Sequence, residues 1–248
     1  MSQRFVSVAA LLLAALFLSA CGGERYSQLE KAVAKGDAAL VERMLNQGAD
    51  PHQPGSKGRT PLMLAAANGN APVVALLLER GVAVDAQDQD GMTALMVAAG
   101  GGHAEVVRLL LEHGAAVART NAYGVSALEH AALFGRTDVV RLLLQHPQPP
   151  SQQALDESLL IAAGLGHDDI VAALLENGAA VNARGKAGRT PLMAAVAFEH
   201  PSTVALLLKH GADPTLKDDG GHDALMVARQ QGNEELLKLL RHHRRPRG

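Results

Sequence analysis

The residue order from Gly58 to Ala86, GRTPLMLAAANGNAPVVALLLERGVAVDA, returns about every 33 positions, and no other feature limits the possible folds as strongly. Gly69, Gly102 and Gly135 hold one place in successive copies, and Gly81 and Gly114 hold another. Within a copy, Thr60-Pro61 precedes an Ala-rich apolar run ending at Gly69. Proline at the first helical position sacrifices no hydrogen bond, so this run reads as a short helix. Val73, Val74, Leu76, Leu77 and Leu78 form the apolar face of a second helix, and Gly81 can end it in the left-handed conformation. A unit of two short helices cannot bury that face alone. Its neighbours must cover it, so chain length counts units and one folded domain is expected. A chain that is 48% hydrophobic but only 2% aromatic suits thin Ala/Leu helices packed closely together.

This order resembles the ankyrin repeat family, whose pattern is G-x-T-P-L-H, then A-A, G-H, V-V-x-L-L-L and G-A-D. Gly91-Met92-Thr93-Ala94-Leu95-Met96 opens one further copy, which Val106, Val107, Leu109, Leu110, Leu111 and Gly114 complete. Gly124-Val125-Ser126-Ala127-Leu128 and Gly188-Arg189-Thr190-Pro191-Leu192-Met193 open others. One departure recurs: the family's His after Leu is replaced by Met63, Met96, Met193 and Met226, and by Glu129 and Leu160. That His bonds neighbouring loops in the family, so stacking here is expected to lean on apolar packing, for which flexible Met is suited. The resemblance implies an all-α solenoid of stacked helix-turn-helix units with β-turn fingers. It also implies a binding function and no enzyme activity.

Seven units including two caps are expected over residues 26–243. In the first, Ser27-Gln28-Leu29-Glu30 replaces Thr-Pro-Leu-His, and Glu42 and Arg43 give its outer face the polarity a terminal repeat needs. The register breaks after His146, at Pro147-Gln148-Pro149-Pro150, and Gly166 arrives 31 residues after Gly135. Three prolines in four positions forbid a regular finger. A stiff extended connection is expected there, between a front block (26–146) and a back block (151–243). The fifth unit is degenerate at Glu157-Ser158-Leu159. In the sixth, Glu199 replaces the inter-helix Gly. In the seventh, Arg229 and Arg241 replace core residues and mark the C-terminal cap, after which 244–248 form a basic tail.

Residues 1–20 begin with Arg4 and run apolar from Phe5 to Phe17, too short to span a membrane and suited to an export signal. Leu18-Ser19-Ala20-Cys21 resembles the lipobox of bacterial lipoproteins. The resemblance implies cleavage before Cys21, lipid on its thiol and amine, and a short tether over 21–25. Cys21 is the only cysteine, so no internal disulfide is available. Gly22 stands where the family's inner-membrane retention signal has Asp, which implies a periplasm-facing protein on the outer membrane.

Candidate chemistry dissolves on placement. Of eleven histidines, His103 and His167 fall at the family's Gly-His position, while His113 and His210 precede helix-ending glycines, where a cation suits the helix dipole. No H-E-x-x-H or paired-Cys spacing exists, so neither a metal nor a cofactor is expected. Met96 is a core position, which removes the Met92/Met96 pair as a soft-metal site. Gly100-Gly101-Gly102-His103 follows a helix and lacks the Lys of a phosphate loop. A formal charge of −2 gives no reason to expect nucleic acid as a partner.

What remains is recognition of another protein by a monomer. The family's variable finger and first-helix positions are here Lys57, Arg59, Gln89, Asp90, Met92, Tyr123, Val125, Phe134, Lys186, Arg189, Phe198 and His222. Phe134 and Phe198 share one register at the end of a first helix, on the family's concave binding side. They are expected to act as interface anchors free of internal packing. Among bacterial envelope members of the family, roles in peroxide protection and in neutralising toxins are both implied.

Overall fold

The computed structural model describes residues 28–243, and within them every regular element is helical apart from one isolated β-bridge. The fourteen helices alternate between first and second helices of seven units. They are α1 (Gln28–Lys35), α2 (Ala38–Asn46), α3 (Pro61–Ala67), α4 (Ala71–Glu79), α5 (Ala94–Gly101), α6 (Ala104–Glu112) and α7 (Ala127–Leu133). There follow α8 (Thr137–Leu144), α9 (Gln152–Leu165), α10 (Asp168–Glu176), α11 (Pro191–Ala197), α12 (Pro201–Lys209), α13 (Ala224–Gln231) and α14 (Glu234–His243). First helices pack on first helices and second on second, as a solenoid requires.

Local chemistry sets the first helices' ends. Thr60, Thr93, Ser126, Thr190 and Asp223 each accept a bond from the amide three residues on, at 3.2, 3.3, 3.3, 3.3 and 2.8 Å. Each such cap is worth about 1 kcal/mol. Glu199 does stand in for the inter-helix glycine, at φ 58, a conformation in which a residue with a Cβ is strained by roughly 1–2 kcal/mol. The core then repeats by unit. Leu62, Leu95, Leu128, Leu159 and Leu192 on the first helices, and Val74, Val107, Val140, Val171 and Val204 on the second, are all buried.

The family's histidine register is filled by apolar packing where it holds Met63, Met96 and Met193, all buried. Met226, in the last of the described units, is 39% exposed. Glu129 solves the same position differently. Its Oε2 accepts from the Ser126 amide at 2.8 Å and the Ser126 hydroxyl at 2.6 Å, a reciprocal cap in which Ser and Glu satisfy each other's amides.

A second ladder binds the units along the inter-helix turns. Asn70 Nδ2 donates to Val33 O (3.2 Å), His103 Nε2 to Ala67 O (3.0 Å), Arg136 Nε to Gly100 O (3.0 Å) and His200 Nε2 to Gly164 O (3.2 Å). His167 bonds the Leu133 carbonyl in the same way. Each side chain caps the unsatisfied C-terminal carbonyls of the preceding unit's first helix. His113 and His210 instead hold carbonyls of their own helices, Leu109 O at 2.8 Å and Leu206 O at 2.9 Å.

The proline segment departs from the extended connection expected of it. The chain bends at His146-Pro147-Gln148, where the His146 ring accepts the Gln148 amide at 3.3 Å, and Pro150 is buried. Ser151 then caps α9, which at 14 residues is twice as long as α7. Its added N-terminal turns take over the bonding of a finger's arm. Asp156 Oδ1 accepts from Ala180 N at 2.8 Å, as Asp85 does from Ala116 N (3.0 Å) and Asn182 from Asp213 N (2.8 Å). The helix stack therefore runs through the fifth unit, with α9 packed against both α7 and α11.

Candidate protein-binding face

Five fingers precede first helices, at residues 55–60, 88–93, 121–126, 185–190 and 218–223. All share a backbone bond from the amide of residue i to the carbonyl of i+4, besides the turn bond from i+3 back to i: Gly55 to Arg59, Asp88 to Met92, Asn121 to Val125, Gly185 to Arg189 and Asp218 to His222, at 2.8–3.1 Å. Two designs achieve this. In the Asx fingers, Asp88 Oδ1 accepts from the Asp90 and Met92 amides, Asn121 Oδ1 from Tyr123 and Val125, and Asp218 Oδ1 from Gly220 and His222, all at 2.9–3.0 Å. The three glycines Gly91, Gly124 and Gly221 supply the positive φ that closes each turn.

The other two fingers begin with Gly55 and Gly185. A Cβ at Gly55 would collide with the Glu30 carboxylate, and one at Gly185 would lie 2.7 Å from Leu160 Cδ1. The base of each lies directly on a side chain in the family's histidine register, which leaves no room for Asp. Without the Asx bonds, the tips adopt positive φ at Lys57 (57) and Ala187 (58).

Neighbouring fingers are joined through their backbones. Gln89 N donates to Lys57 O, Ala122 N to Asp90 O and Asp219 N to Ala187 O, at 2.9, 2.9 and 3.0 Å. Side chains reinforce the row: Arg59 approaches Asp88 at 3.9 Å, Arg184 approaches Asp219 at 3.7 Å, and Asn121 Nδ2 meets Met92 Sδ at 3.4 Å. The row brings together Lys57, Arg59, Gln89, Asp90, Met92, Tyr123 and Val125 in one group. Lys186, Arg189 and His222 form another. Unit 5 has no finger, so the two groups are not joined. His222 Nδ1 lies 3.3 Å from Asp218 Oδ1, and the His222 amide holds the Asp218 carboxyl below its ordinary range. Tyr123 is 73% exposed, at the tip of the finger that carries the Thr120–Ser126 bridge.

Phe134 and Phe198 are not on fingers. Each caps the C-terminus of a first helix, α7 and α11, and each ring lies over a glycine 34 residues earlier. A Cβ at Gly100 would meet Phe134 Cδ2 at 3.4 Å, and one at Gly164 would meet Phe198 Cδ2 at 3.6 Å. The expectation that these rings pack nothing is therefore corrected, because small residues on the preceding helix leave a shallow seat for each. Phe134 is half-buried and Phe198 is 39% exposed. Between the rings and the fingers, Leu64, Val97, Ile161, Ala194 and Val227 make a half-buried apolar stripe along the first helices.

In that same register His130 is buried, with Nδ1 2.8 Å from Ser126 O and Nε2 without a partner. Burial pushes its pKa below the ordinary imidazole range and pushes the Glu129 carboxyl above the usual carboxylate range. Ser158 Oγ, on the adjoining α9, is also buried without a partner. Sequence reasoning passed over His130, Ser158 and the finger-building Asp88, Asn121 and Asp218. The Asx residue three before each finger glycine was the available signal for the last three. Cys21 lies outside the described residues. Among those that are described, no group of three His, Cys, Asp or Glu side chains could hold a metal ion, and no helix is long and apolar enough to cross a membrane.

A repeated unit of finger, two helices and interlocking backbone ladders defines an ankyrin-type interaction domain. The family profile of ankyrin repeats in three copies matches residues 29–117, 80–154 and 159–246, and this chain belongs to the ankyrin repeat family. The human ASB11 ankyrin repeat domain is 25% identical, with a TM-score of 0.78 over 90% of this chain and 100% of that one. The ankyrin repeat domain of Bcl-3, described as a unique member of the IkappaB family, is 27% identical, with a TM-score of 0.74 over 88% and 100%. None of the curated proteins compared matches this chain.

Proposed function

We propose that this protein is a lipid-anchored module of the bacterial envelope that captures one protein partner on its finger and first-helix face. The observation that carries the reading is the exposure of Tyr123, on a finger bonded to its neighbour through the backbone, and of Phe198, at a helix end seated over Gly164. Aromatic side chains lose little entropy on binding, and a preorganised scaffold keeps that cost low. Phe134 stands in the same register as Phe198 and extends the surface across unit 5. The partner's role, in peroxide defence or as a toxin to be neutralised, follows from its identity.

The test is affinity capture with the detergent-solubilised full chain, followed by titration of the captured protein against Tyr123→Ala, Phe134→Ala and Phe198→Ala. At least two of the three are expected to weaken binding tenfold or more, since truncating an anchor typically costs about 2 kcal/mol or more. Unchanged affinity in all three would sink the reading. Phe134→Ala is expected to lower the melting temperature more than Phe198→Ala, because its ring is the more buried of the two.

A further inference from the structure

The finger row obeys a strict bonding rule that unit 5 interrupts. Each finger receives at its tip carbonyl the amide of the next: Lys57 O takes Gln89 N, Asp90 O takes Ala122 N, and Ala187 O takes Asp219 N. The equivalent carbonyl on the next finger of the front group is Tyr123 O, and the equivalent amide on the first finger of the back group is Lys186 N. Among the described residues, neither has a hydrogen-bond partner. α9 fills the helix layer of unit 5 and replaces a finger's arm through Asp156, yet it offers no backbone partner to either tip. The helices keep their stacking through this unit, so the two tips belong to fingers two units apart in the stack instead of one.

We infer that this interrupted place in the finger row is a docking slot for a tight turn of the partner protein, entering as the missing finger. The inference rests on the finger face being the binding face. The chemistry of the occupant is set by the fingers already present. In the one Asx finger that has a neighbour on both sides, consecutive residues carry the two bonds, Gln89 N and Asp90 O. An Asx-x-x-Gly turn in the partner would place one amide on Tyr123 O and the next residue's carbonyl on Lys186 N.

The chain also indicates which Asx. Where the residue before the helix-capping position is Arg59 or Arg189, the next Asx finger begins with Asp, at Asp88 or Asp218. Where it is Met92, the next begins with Asn121, whose Nδ2 meets the sulfur. The equivalent residue of the finger before the slot is Val125, which is apolar, so an Asn-x-x-Gly turn suits it better than one led by a carboxylate. The exposed ring of Tyr123 stands at the rim of the slot and adds an apolar contact for the incoming loop.

The probe is this chain's own Asn finger as a peptide, residues 119–127 carrying Thr120→Cys and Ser126→Cys and closed by a disulfide where the native bridge lies. It is titrated into the ¹⁵N-labelled full chain. Saturable binding is expected, together with at least tenfold slower exchange of the Lys186 amide. Lys186→Pro removes only that N–H and the side chain. The extended backbone of Gly185 (ψ −159) and the helical conformation of residue 186 both accept a proline. Lys186→Ala keeps the N–H. Binding at least tenfold weaker in Lys186→Pro than in Lys186→Ala supports the slot. Equal binding in the two variants, no binding to either, or an unprotected Lys186 amide overturns it. A dimer of the full chain that the peptide dissociates would make the occupant a finger of a second copy and would overturn the assignment to a partner. These readouts use the peptide alone. Failure of the slot is thus distinguishable from failure of capture through Tyr123, Phe134 and Phe198.

Discussion

His130 occupies a register that units 2, 3, 5, 6 and 7 give to Leu64, Val97, Ile161, Ala194 and Val227, and unit 1 to Lys31. Its Nδ1 faces the Ser126 carbonyl, which can only accept, so the proton sits on Nδ1 and the Nε2 lone pair is left bare in the interior. Protonation would place an unpaired charge there, and for this reason burial lowers its pKa. The sign of the linkage follows. The unfolded chain takes up the proton near pH 6.5 and the fold does not, so stability is full above about pH 6.5 and falls as the pH drops towards the lowered folded value. His167 is shifted the same way, by burial first and by neighbouring His200 second. Glu129 acts oppositely: its raised pKa means the fold loses stability as the pH rises through and above the ordinary carboxylate range. His130→Leu is expected to raise stability by about 1 kcal/mol at pH 5.5 and to leave a shallower decline between pH 7.5 and 5.5, set by His167. Urea unfolding at the two pH values checks this, and an unchanged slope would show that His130 is not the group responsible.

At the scale of elements, α9 differs most from its counterparts. Pro147 and Pro149 lack the amides that Gly114 and Ala116 use in the corresponding turn one unit earlier, and the chain after Pro150 forms helix at once, with Ser151 as its cap. Asp156 then carries the inter-unit bond to Ala180 that Asp85 and Asn182 carry from finger arms elsewhere. Asp156→Ala is expected to cost about 1–2 kcal/mol, whereas Asp156→Asn, which keeps an acceptor as Asn182 does, should cost less than half of that. Thermal unfolding of both variants, with amide exchange at Ala180, measures it. Equal losses would mean that the charge and not the acceptor matters.

For the molecule as a whole, stability is a sum over neighbouring interfaces, and the proposed attachment to a membrane is a separate matter that falls on residues outside those described. Two acyl chains suffice for stable anchoring, at about 0.8 kcal/mol per buried methylene, and the apolar run from Phe5 to Phe17 alone is too short to span. Cys21→Ser is therefore expected to move the mature domain to the soluble fraction. A variant still sedimenting with membranes in high salt would remove the lipid from the proposal.

The repeat alone determined the class of fold, because glycine spacing, Thr-Pro starts and apolar helix faces are local signals that each copy states again. It also located the degenerate fifth unit and the substituted glycine at Glu199, since both are departures from a pattern visible in the chain. Which side chains pack was decided only in three dimensions. Phe134 and Phe198 read as free surface rings until Gly100 and Gly164, 34 residues away, supplied their seats. Nothing in the chain marks Gly55 and Gly185, and it is Glu30 and Leu160 on the preceding units that exclude a Cβ there. His130 carries no signal of its own in the chain and becomes a buried base through its neighbours. A hydrogen-bond row broken at a single unit is likewise invisible in sequence, because each bond joins residues about 32 apart whose side chains take no part in it.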